Sequence, residues 1–198
     1  MTTFAIAIFF ILATPGPGVL SLAGVGSAFG YRAAWAYGTG LFVGSNLVMI
    51  AVASGLAAVI LAHQGLRVVF IVLSSGYLFH LAMRVAMAGS KIGFLEAAQP
   101  PGFWGAIVLQ VFNPKAYAVG TFTFSNFSFW PENLAGEISL KFLILNLIWI
   151  PIHMVWMWAG VTLQRLDLSP SVQRVINVTM AIALVLVVAV ALYTSLRG

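Results

Sequence analysis

Lys115 is the ionisable residue whose position most strongly suggests chemistry. It follows the Asn113-Pro114 pair inside a long apolar stretch, far from the nearest acids, Glu96 and Glu132. Charges at membrane depth are costly, usually face the interior of a helix bundle and mark the path of a substrate or an ion. An ammonium group there would serve as the counter-charge to a substrate carboxylate. The alternative is that Lys115 extends to the membrane interface or only pairs with backbone carbonyls freed by Pro114.

Two proline-containing breaks accompany this lysine. One interrupts the uncharged apolar run from Met1 to Tyr31, and the other interrupts residues 97–131. Proline in a helix interior removes a hydrogen bond and clashes with the preceding turn, at a cost of about 3 kcal/mol. A helix that restarts after such a break offers unpaired N–H groups that favour anions. The alternative is a packing kink at each break. We predict that the breaks and their lysine bind substrate through Pro15, Gly16, Pro17, Asn113, Pro114 and Lys115.

Three neutral polar residues in the apolar segments are further candidates. Asn46 and Asn146 stand 100 positions apart, and we expect both to line the substrate site. Asn146, His153 and Gly160 recur every seven residues and share one helical face. Because polar groups on such a face commonly bond neighbouring helices, that role remains open for each of them. His153 is the candidate proton relay, since histidine titrates near neutral pH.

The residue types that are absent exclude several functions. The chain has no cysteine, and its four acids, Glu96, Glu132, Glu137 and Asp167, all fall in predicted connectors. We therefore expect no metal site, no cofactor and no enzymatic activity, because the apolar segments hold neither carboxylate pairs nor a nucleophile with its base. The basic residues are spread over short connectors, which gives nucleic-acid binding no support. A cavity without acids favours a neutral amino acid over lysine or arginine.

The amino-acid composition indicates the environment that surrounds these residues. Hydrophobic residues make up 62% of the 198 and charged residues 7%, and the mean hydropathy is +1.06. One soluble core cannot bury that much apolar surface, so we predict an all-α integral membrane protein. Connectors separate six apolar segments that meet the requirement of about 20 residues for a spanning helix. They are residues 3–28, 37–61, 66–87, 103–127, 142–163 and 175–196.

The six segments divide into two groups of three. Three crossings per half force the halves into opposite orientations, and the breaks fall in the first segment of each half, at Pro15 and Pro114. Transporters built from inverted repeats place discontinuous helices at matching positions and bind substrate between them. We therefore predict two inverted three-helix repeats, 1–90 and 91–198, with broken helices 1 and 4, in one membrane domain.

Several short motifs occur in order along the whole chain. They are Thr14-Pro15-Gly16-Pro17, Gly30-Tyr31-Arg32-Ala33-Ala34, Tyr77-Leu78 with Arg84, and Gly105 leading into Asn113-Pro114-Lys115-Ala116. In these motifs the chain resembles the LysE/RhtB family of amino-acid exporters. The resemblance implies a small carrier of the inner membrane that exports amino acids and is driven by the proton gradient. Gly18 stands where that family frequently has Asn, which leaves the substrate open.

The sequence therefore predicts a multi-pass exporter of small neutral amino acids in the cytoplasmic membrane. Its partners would be the amino acid and the lipid bilayer, and association into a homo-oligomer is left open. Two alternatives remain. One is an exporter of another small metabolite or amino-acid derivative. The other is a membrane scaffold subunit without transport, which would bury Lys115 against a partner or the membrane interface and have no cavity between its halves.

Overall fold

The computed structural model describes residues 1–87, 99–166 and 168–197. The regular secondary structure in these ranges is entirely helical. The predicted joint between the two halves, around residue 90, lies outside the described residues, as do Glu96 and Asp167. The helices are α1 (Thr2–Ala13), α2 (Pro17–Ala53), α3 (Leu56–Ala62), α4 (Gln64–Met87), α5 (Phe103–Phe112), α6 (Pro114–Ser125), α7 (Leu134–Arg165) and α8 (Pro170–Arg197).

Three stretches in the described part of the chain are long and apolar enough to cross a membrane. They are α2, the part of α4 from Val68 to Met87, and α7. An uninterrupted apolar helix of about 20 residues satisfies its own backbone hydrogen bonds across the hydrocarbon layer. The chain thus has the architecture of a helical membrane protein.

The first break separates α1 from α2. The chain leaves the helix at Thr14 (φ −60°, ψ 124°) and is extended at Gly16. Both the backbone N–H and the hydroxyl of Thr14 donate to the Phe10 carbonyl, at 3.1 and 2.8 Å. Pro17 then occupies the first position of α2, where its missing N–H costs nothing. The prolines at positions 15 and 17 therefore account for the end of α1 and the start of α2.

The second break, between α5 and α6, has the same form. Pro114 is the first residue of α6, and Asn113 before it is extended (φ −76°, ψ 109°). The Asn113 side-chain oxygen accepts from the Lys115 N–H at 3.0 Å and so caps the new helix. The predicted interruption of both long apolar segments is confirmed.

The predicted connector at residues 30–32 is shorter than expected. Helix α2 runs through it and departs from helical geometry at Gly30 (φ 78°, ψ −171°). This backbone region is open almost exclusively to glycine. The chain thus turns within one residue, and the helix resumes at once at residue 31, well before the predicted start of the second segment at 37. The predicted connector between the first two segments is therefore reduced to a single residue, because one glycine suffices for the turn.

The connector predicted around Glu137 and Lys141 is also wrong. Helix α7 begins at Leu134, so both residues lie in its first turns, and both are buried. Their side chains form an ion pair of 2.8 Å. The Phe129 and Trp130 N–H groups donate to the Glu137 carboxylate at 2.8 and 2.6 Å, and the Lys141 ammonium donates to the Phe127 carbonyl at 2.5 Å. Each charge is thus paired and hydrogen-bonded, which offsets part of the cost of burying it.

Close helix contacts hold the centre of the protein together. The first part of α2 packs on α7 where Gly160 meets the Ala23 backbone, and the second part packs on α5 where Gly40 meets the Phe103 backbone. A Cβ atom at either glycine would collide with a carbonyl oxygen of the facing helix. Small residues at such crossings are typical of helix packing in membranes. The two contacts fix α2 between the elements that carry the second break and His153.

Candidate functional site

The two breaks meet at Lys115. This half-buried residue lies in the first turn of α6, and its ammonium donates to the carbonyl of Thr14 at the end of α1. Its stem lies against Gly16, where an added Cβ would be 2.6 Å from Lys115 Cδ. The break after α1 leaves carbonyls without a helical donor, and the lysine occupies one of them. An ammonium has three donors, so two remain for other partners.

A small cavity lies beside this junction. The room open to the centre of a water molecule is about 50 Å³. At about 10–15 Å³ for each water in this measure, it accommodates roughly three to five waters or a small solute. The lining residues come from the two breaks, from α2 beyond Gly30 and from α7: Leu12, Gly16, Gly18, Val19, Ser45, Met49, Gln110, Asn113, Lys115, Ala116, Val119, Leu145, Trp149 and His153.

A string of hydrogen bonds orders the polar wall of the cavity. The Asn113 amide donates to the Gln110 side-chain oxygen at 2.7 Å, and the Gln110 amide donates to the Ser45 hydroxyl at 2.5 Å. Both Gln110 and Asn113 are buried. The string fixes the orientation of the Gln110 amide group, whose oxygen keeps a second lone pair free to accept. The Asn113 side chain, which caps α6, thus also determines how the Gln110 amide is oriented in the cavity wall.

His153 forms the opposite wall. Its Nδ1 lies 2.9 Å from the Trp149 carbonyl, and its ring stacks on the Trp149 ring with centroids 3.5 Å apart. An imidazole that donates from Nδ1 to this carbonyl keeps Nε2 as its acceptor. Nε2 faces Gly18 across the cavity, 3.7 Å from where a Cβ would lie. His153, which the sequence singled out, thus lines the same cavity as Lys115.

Asn46 and Asn146 bond to each other. The Asn46 amide donates to the Asn146 oxygen at 3.1 Å, and the Asn146 amide donates back at 2.9 Å. Each amide also donates to the carbonyl four residues earlier, at Phe42 and Phe142. Neither asparagine lines the cavity. This arrangement fits the interhelical alternative, and a contact between either residue and a substrate remains a prediction.

The other predicted residues divide by position. Gly16, Asn113, Lys115 and His153 line the cavity, whereas Pro15, Pro17 and Pro114 shape its edges without lining it. Sequence reasoning missed Gln110 and Ser45 as lining residues. Gln110 did carry a signal, since it precedes Asn113 by three positions and therefore shares its helical face. Lys115 and His153 are the ionisable members of the lining, and no acid is among the lining residues.

Comparison with known proteins adds no assignment. No protein-family model matches the chain, and no curated protein or solved structure matches it significantly. The resemblance to amino-acid exporters therefore rests on the motifs in the sequence. The function is therefore inferred from the charged and polar groups that line the cavity.

Proposed function

We propose that this protein is a secondary carrier that exports small neutral amino acids across the cytoplasmic membrane, driven by the proton gradient. The observation that carries the proposal is the cavity where both breaks meet, which combines one ammonium and one imidazole with neutral polar groups and no acid. Buried polar groups of this kind at a break in two helices are typical of transporter sites. The site thus offers partners for both ends of a zwitterion.

The carboxylate of the substrate would bind at Lys115. The two free donors of its ammonium lie beside the start of α2, where the first-turn N–H groups add partial positive charge. The substrate ammonium would bind the Gln110 oxygen and the Nε2 lone pair of His153 on the other side. A substrate with a second cation would face Lys115 with no acid in the lining to offset it. This supports a preference for neutral side chains.

His153 would carry the coupling proton. It is buried, lines the cavity and contacts a backbone carbonyl through Nδ1. Protonation at Nε2 would change it from an acceptor of the substrate ammonium into a donor that repels it. Binding of the proton and of the substrate would then exclude each other, as exchange of the two across a membrane requires.

Six crossings in two inverted repeats, residues 1–90 and 91–198, form the architecture that we propose for this carrier. Two features support it. Each half contains one break whose new helix begins with proline, at Pro17 and Pro114. Asn46 and Asn146 also bond reciprocally and repeat the same bond to the carbonyl four residues earlier. Such a pair is expected where two related helices cross near an axis of symmetry.

The LysE/RhtB resemblance agrees with this proposal, and the cavity favours a carrier over a scaffold subunit. A scaffold subunit was expected to have no cavity between its halves, whereas the Lys115 side chain lines one between the two breaks. An exporter of another small zwitterionic metabolite would use the same groups. The choice among substrates therefore has to come from transport measurements.

Counterflow in proteoliposomes tests the proposal. Labelled alanine, serine and threonine are expected to exchange, and lysine and arginine to exchange poorly. Like charges about 5 Å apart repel by roughly 3 kcal/mol at an effective dielectric constant of about 20. Lys115→Met removes a charge-assisted hydrogen bond worth about 1.5–3 kcal/mol, so counterflow at low substrate should fall roughly 10- to 150-fold.

Arg174→Met is the matched control, since it removes an exposed cation at the start of α8. It should leave counterflow unchanged. Parental rates in Lys115→Met, with normal insertion and folding, would show that the lysine only satisfies the Thr14 carbonyl. Selective exchange of lysine or arginine would overturn the charge argument. A parent protein that exchanges no substrate on the panel would remove the proposed function.

A further inference from the structure

A groove between α2 and α7 adjoins the polar cavity described above. Its lining includes Phe42, Ile150 and Met154, together with Trp149 and His153, which also line the polar cavity. The room open to the centre of a water molecule is about 230 Å³ in the groove, against about 50 Å³ in the polar cavity. The proposed substrate site uses none of this larger space, so the groove needs its own explanation.

The wall of the groove is chiefly carbon. Thr39 lines it, but the Thr39 hydroxyl donates to two carbonyls of its own helix, at 3.1 and 2.9 Å. The Nδ1 atom of His153 likewise lies 2.9 Å from the Trp149 carbonyl of α7. These polar groups are therefore bonded within the helices that carry them. A zwitterion would find few partners in the groove, whereas a hydrocarbon chain needs none.

The groove is open to the surroundings of the helices. Two of its lining residues, Trp35 and Ile150, remain 39% and 41% exposed. They lie on α2 and α7, which are both long and apolar enough to cross a membrane. Lipid chains surround such helices and are as apolar as a leucine side chain. An acyl chain can therefore enter the groove from the side.

Aromatic contacts show which way the groove runs. At one end the rings of Phe42 and Trp149 are in contact, with centroids 5.5 Å apart. Seven residues earlier on α2, Trp35 lines the groove, and its ring contacts the Tyr31 ring with centroids 6.0 Å apart. Tyr31 directly follows the turn at Gly30. The groove thus extends from the middle of α7 towards the end of the bundle where α2 turns.

That end of the bundle carries positive charge. The Arg165 guanidinium, in the last turn of α7, lies over the Tyr31 ring at 5.9 Å from its centroid, and the exposed Arg32 follows Tyr31 in the chain. Of the acids that the structure describes, Glu137 lies in the first turn of α7 and Glu132 precedes that helix. A helix rises 1.5 Å per residue, which separates Glu137 from Arg165 by about 40 Å. The mouth of the groove therefore favours an anion.

We propose that this groove binds one acyl chain of an anionic phospholipid whose phosphate lies at Arg32 and Arg165. The chain extends along α2 from Trp35 to Phe42, a length of about 10 Å. Arginine binds phosphate through paired N–H donors, and basic groups beside membrane helices are typical of sites for acidic headgroups. The site lies outside the proposed substrate site, so it holds whether or not the protein is an exporter.

Lipid titration of the purified protein in detergent tests the headgroup. Native mass spectrometry counts the molecules of dioleoyl phosphatidylglycerol or dioleoyl phosphatidylcholine that remain bound, and the two probes differ only in their headgroups. The parent should bind the anionic lipid at least about tenfold more tightly, because each basic residue near an acidic headgroup contributes about fivefold in affinity. Arg32→Gln and Arg165→Gln should each lose about fivefold for phosphatidylglycerol and leave phosphatidylcholine unchanged. Arg174→Gln removes an exposed cation at the start of α8 and should match the parent.

Gly38→Leu tests the position of the acyl chain. Gly38 lines the groove, and a Cβ there lies 3.5 Å from the nearest Leu22 atom, an ordinary contact. The added side chain takes the place of part of the acyl chain, so this variant should lose the bound lipid with either headgroup. Gly76→Leu adds the same side chain where a Cβ meets nothing within 4 Å and should bind like the parent. Unfolding in lipid-free detergent checks that both variants are folded, and Gly38→Ala replaces Gly38→Leu if it is not.

Each contrary result overturns a stated part of the proposal. Equal affinity of the parent for the two lipids would remove the anionic headgroup. An unchanged preference in the protein that carries both Arg32→Gln and Arg165→Gln would place the phosphate elsewhere. Lipid binding by the folded Gly38 variant at the level of Gly76→Leu would remove the chain from the groove. A mass of two chains without lipid would assign the groove to a second copy of the protein. Counterflow enters none of these measurements, so the exporter proposal is tested separately.

Discussion

Gly18→Ala should separate stability from transport in this protein. Gly18 lies in the first turn of α2 and lines the cavity. A Cβ there would lie 3.6 Å from the Gln110 side-chain oxygen and 3.7 Å from His153 Nε2, which are ordinary contact distances. The alanine methyl group therefore fits without displacing its neighbours. It occupies space that the proposed substrate needs.

The expected magnitudes follow from the size of the cavity. A methyl group is about as large as a water, so it takes roughly a quarter of the cavity of about 50 Å³. Removing the room for one methylene group typically changes selectivity by about 10- to 200-fold. Alanine also restricts the unfolded chain more than glycine does, which should raise the free energy of unfolding by about 0.4–1 kcal/mol.

The assay is counterflow of glycine, alanine, threonine and leucine, with unfolding followed on the same preparations. The ratio of small to large substrate should rise at least about tenfold in Gly18→Ala, while the unfolding temperature stays level or rises. Gly76→Ala is the control, because a Cβ there meets nothing within 4 Å. An unchanged ratio in Gly18→Ala would mean that the substrate does not occupy this cavity.

Two further predictions concern the contacts between helices. Gly160→Ala places a Cβ against the Ala23 carbonyl oxygen, so unfolding in detergent should show a loss of about 1–3 kcal/mol from overpacking; stability equal to that of Gly76→Ala would show that the helices separate at no cost. Asn46→Ala, Asn146→Ala and the double variant should give a coupling energy of about 0.6–1.7 kcal/mol in a double-mutant cycle, and strictly additive losses would rule out a cooperative pair.

The sequence was sufficient where structure follows from local chemistry. Proline has no N–H and clashes with the preceding turn, so the breaks predicted at Pro15 and Pro114 could be located without coordinates, and only the start of α2 at Pro17 came from the structure. A shared helical face likewise linked His153 to Asn146. The approach of Lys115 to Thr14 and Gly16 was suggested by the matching positions of the two breaks, although the sequence held no direct measure of that distance.

Other features could not be predicted because they depend on partners distant in sequence. Hydropathy placed Glu137 and Lys141 outside the membrane segments, since it counts each charge alone and does not register an ion pair with backbone donors. Gln110 is one polar residue in an apolar run, and only its bond to Ser45 on another helix reveals its role. Asn46 and Asn146 bond to each other across two helices, a contact that the sequence did not predict, and their contact with substrate stays a prediction.

The ion pair at the start of α7 limits how the protein can move. It bonds the backbone of residues 127, 129 and 130, which follow α6, to side chains on α7. Helices α6 and α7 are thereby clamped through their connection, so they have to travel as one rigid body unless two buried charges lose their partners. In the described residues, no ion pair joins the two arms of α2, which meet at Gly30. In the proposed carrier, we expect the two arms of α2 to change their angle at that glycine while α6 and α7 move together.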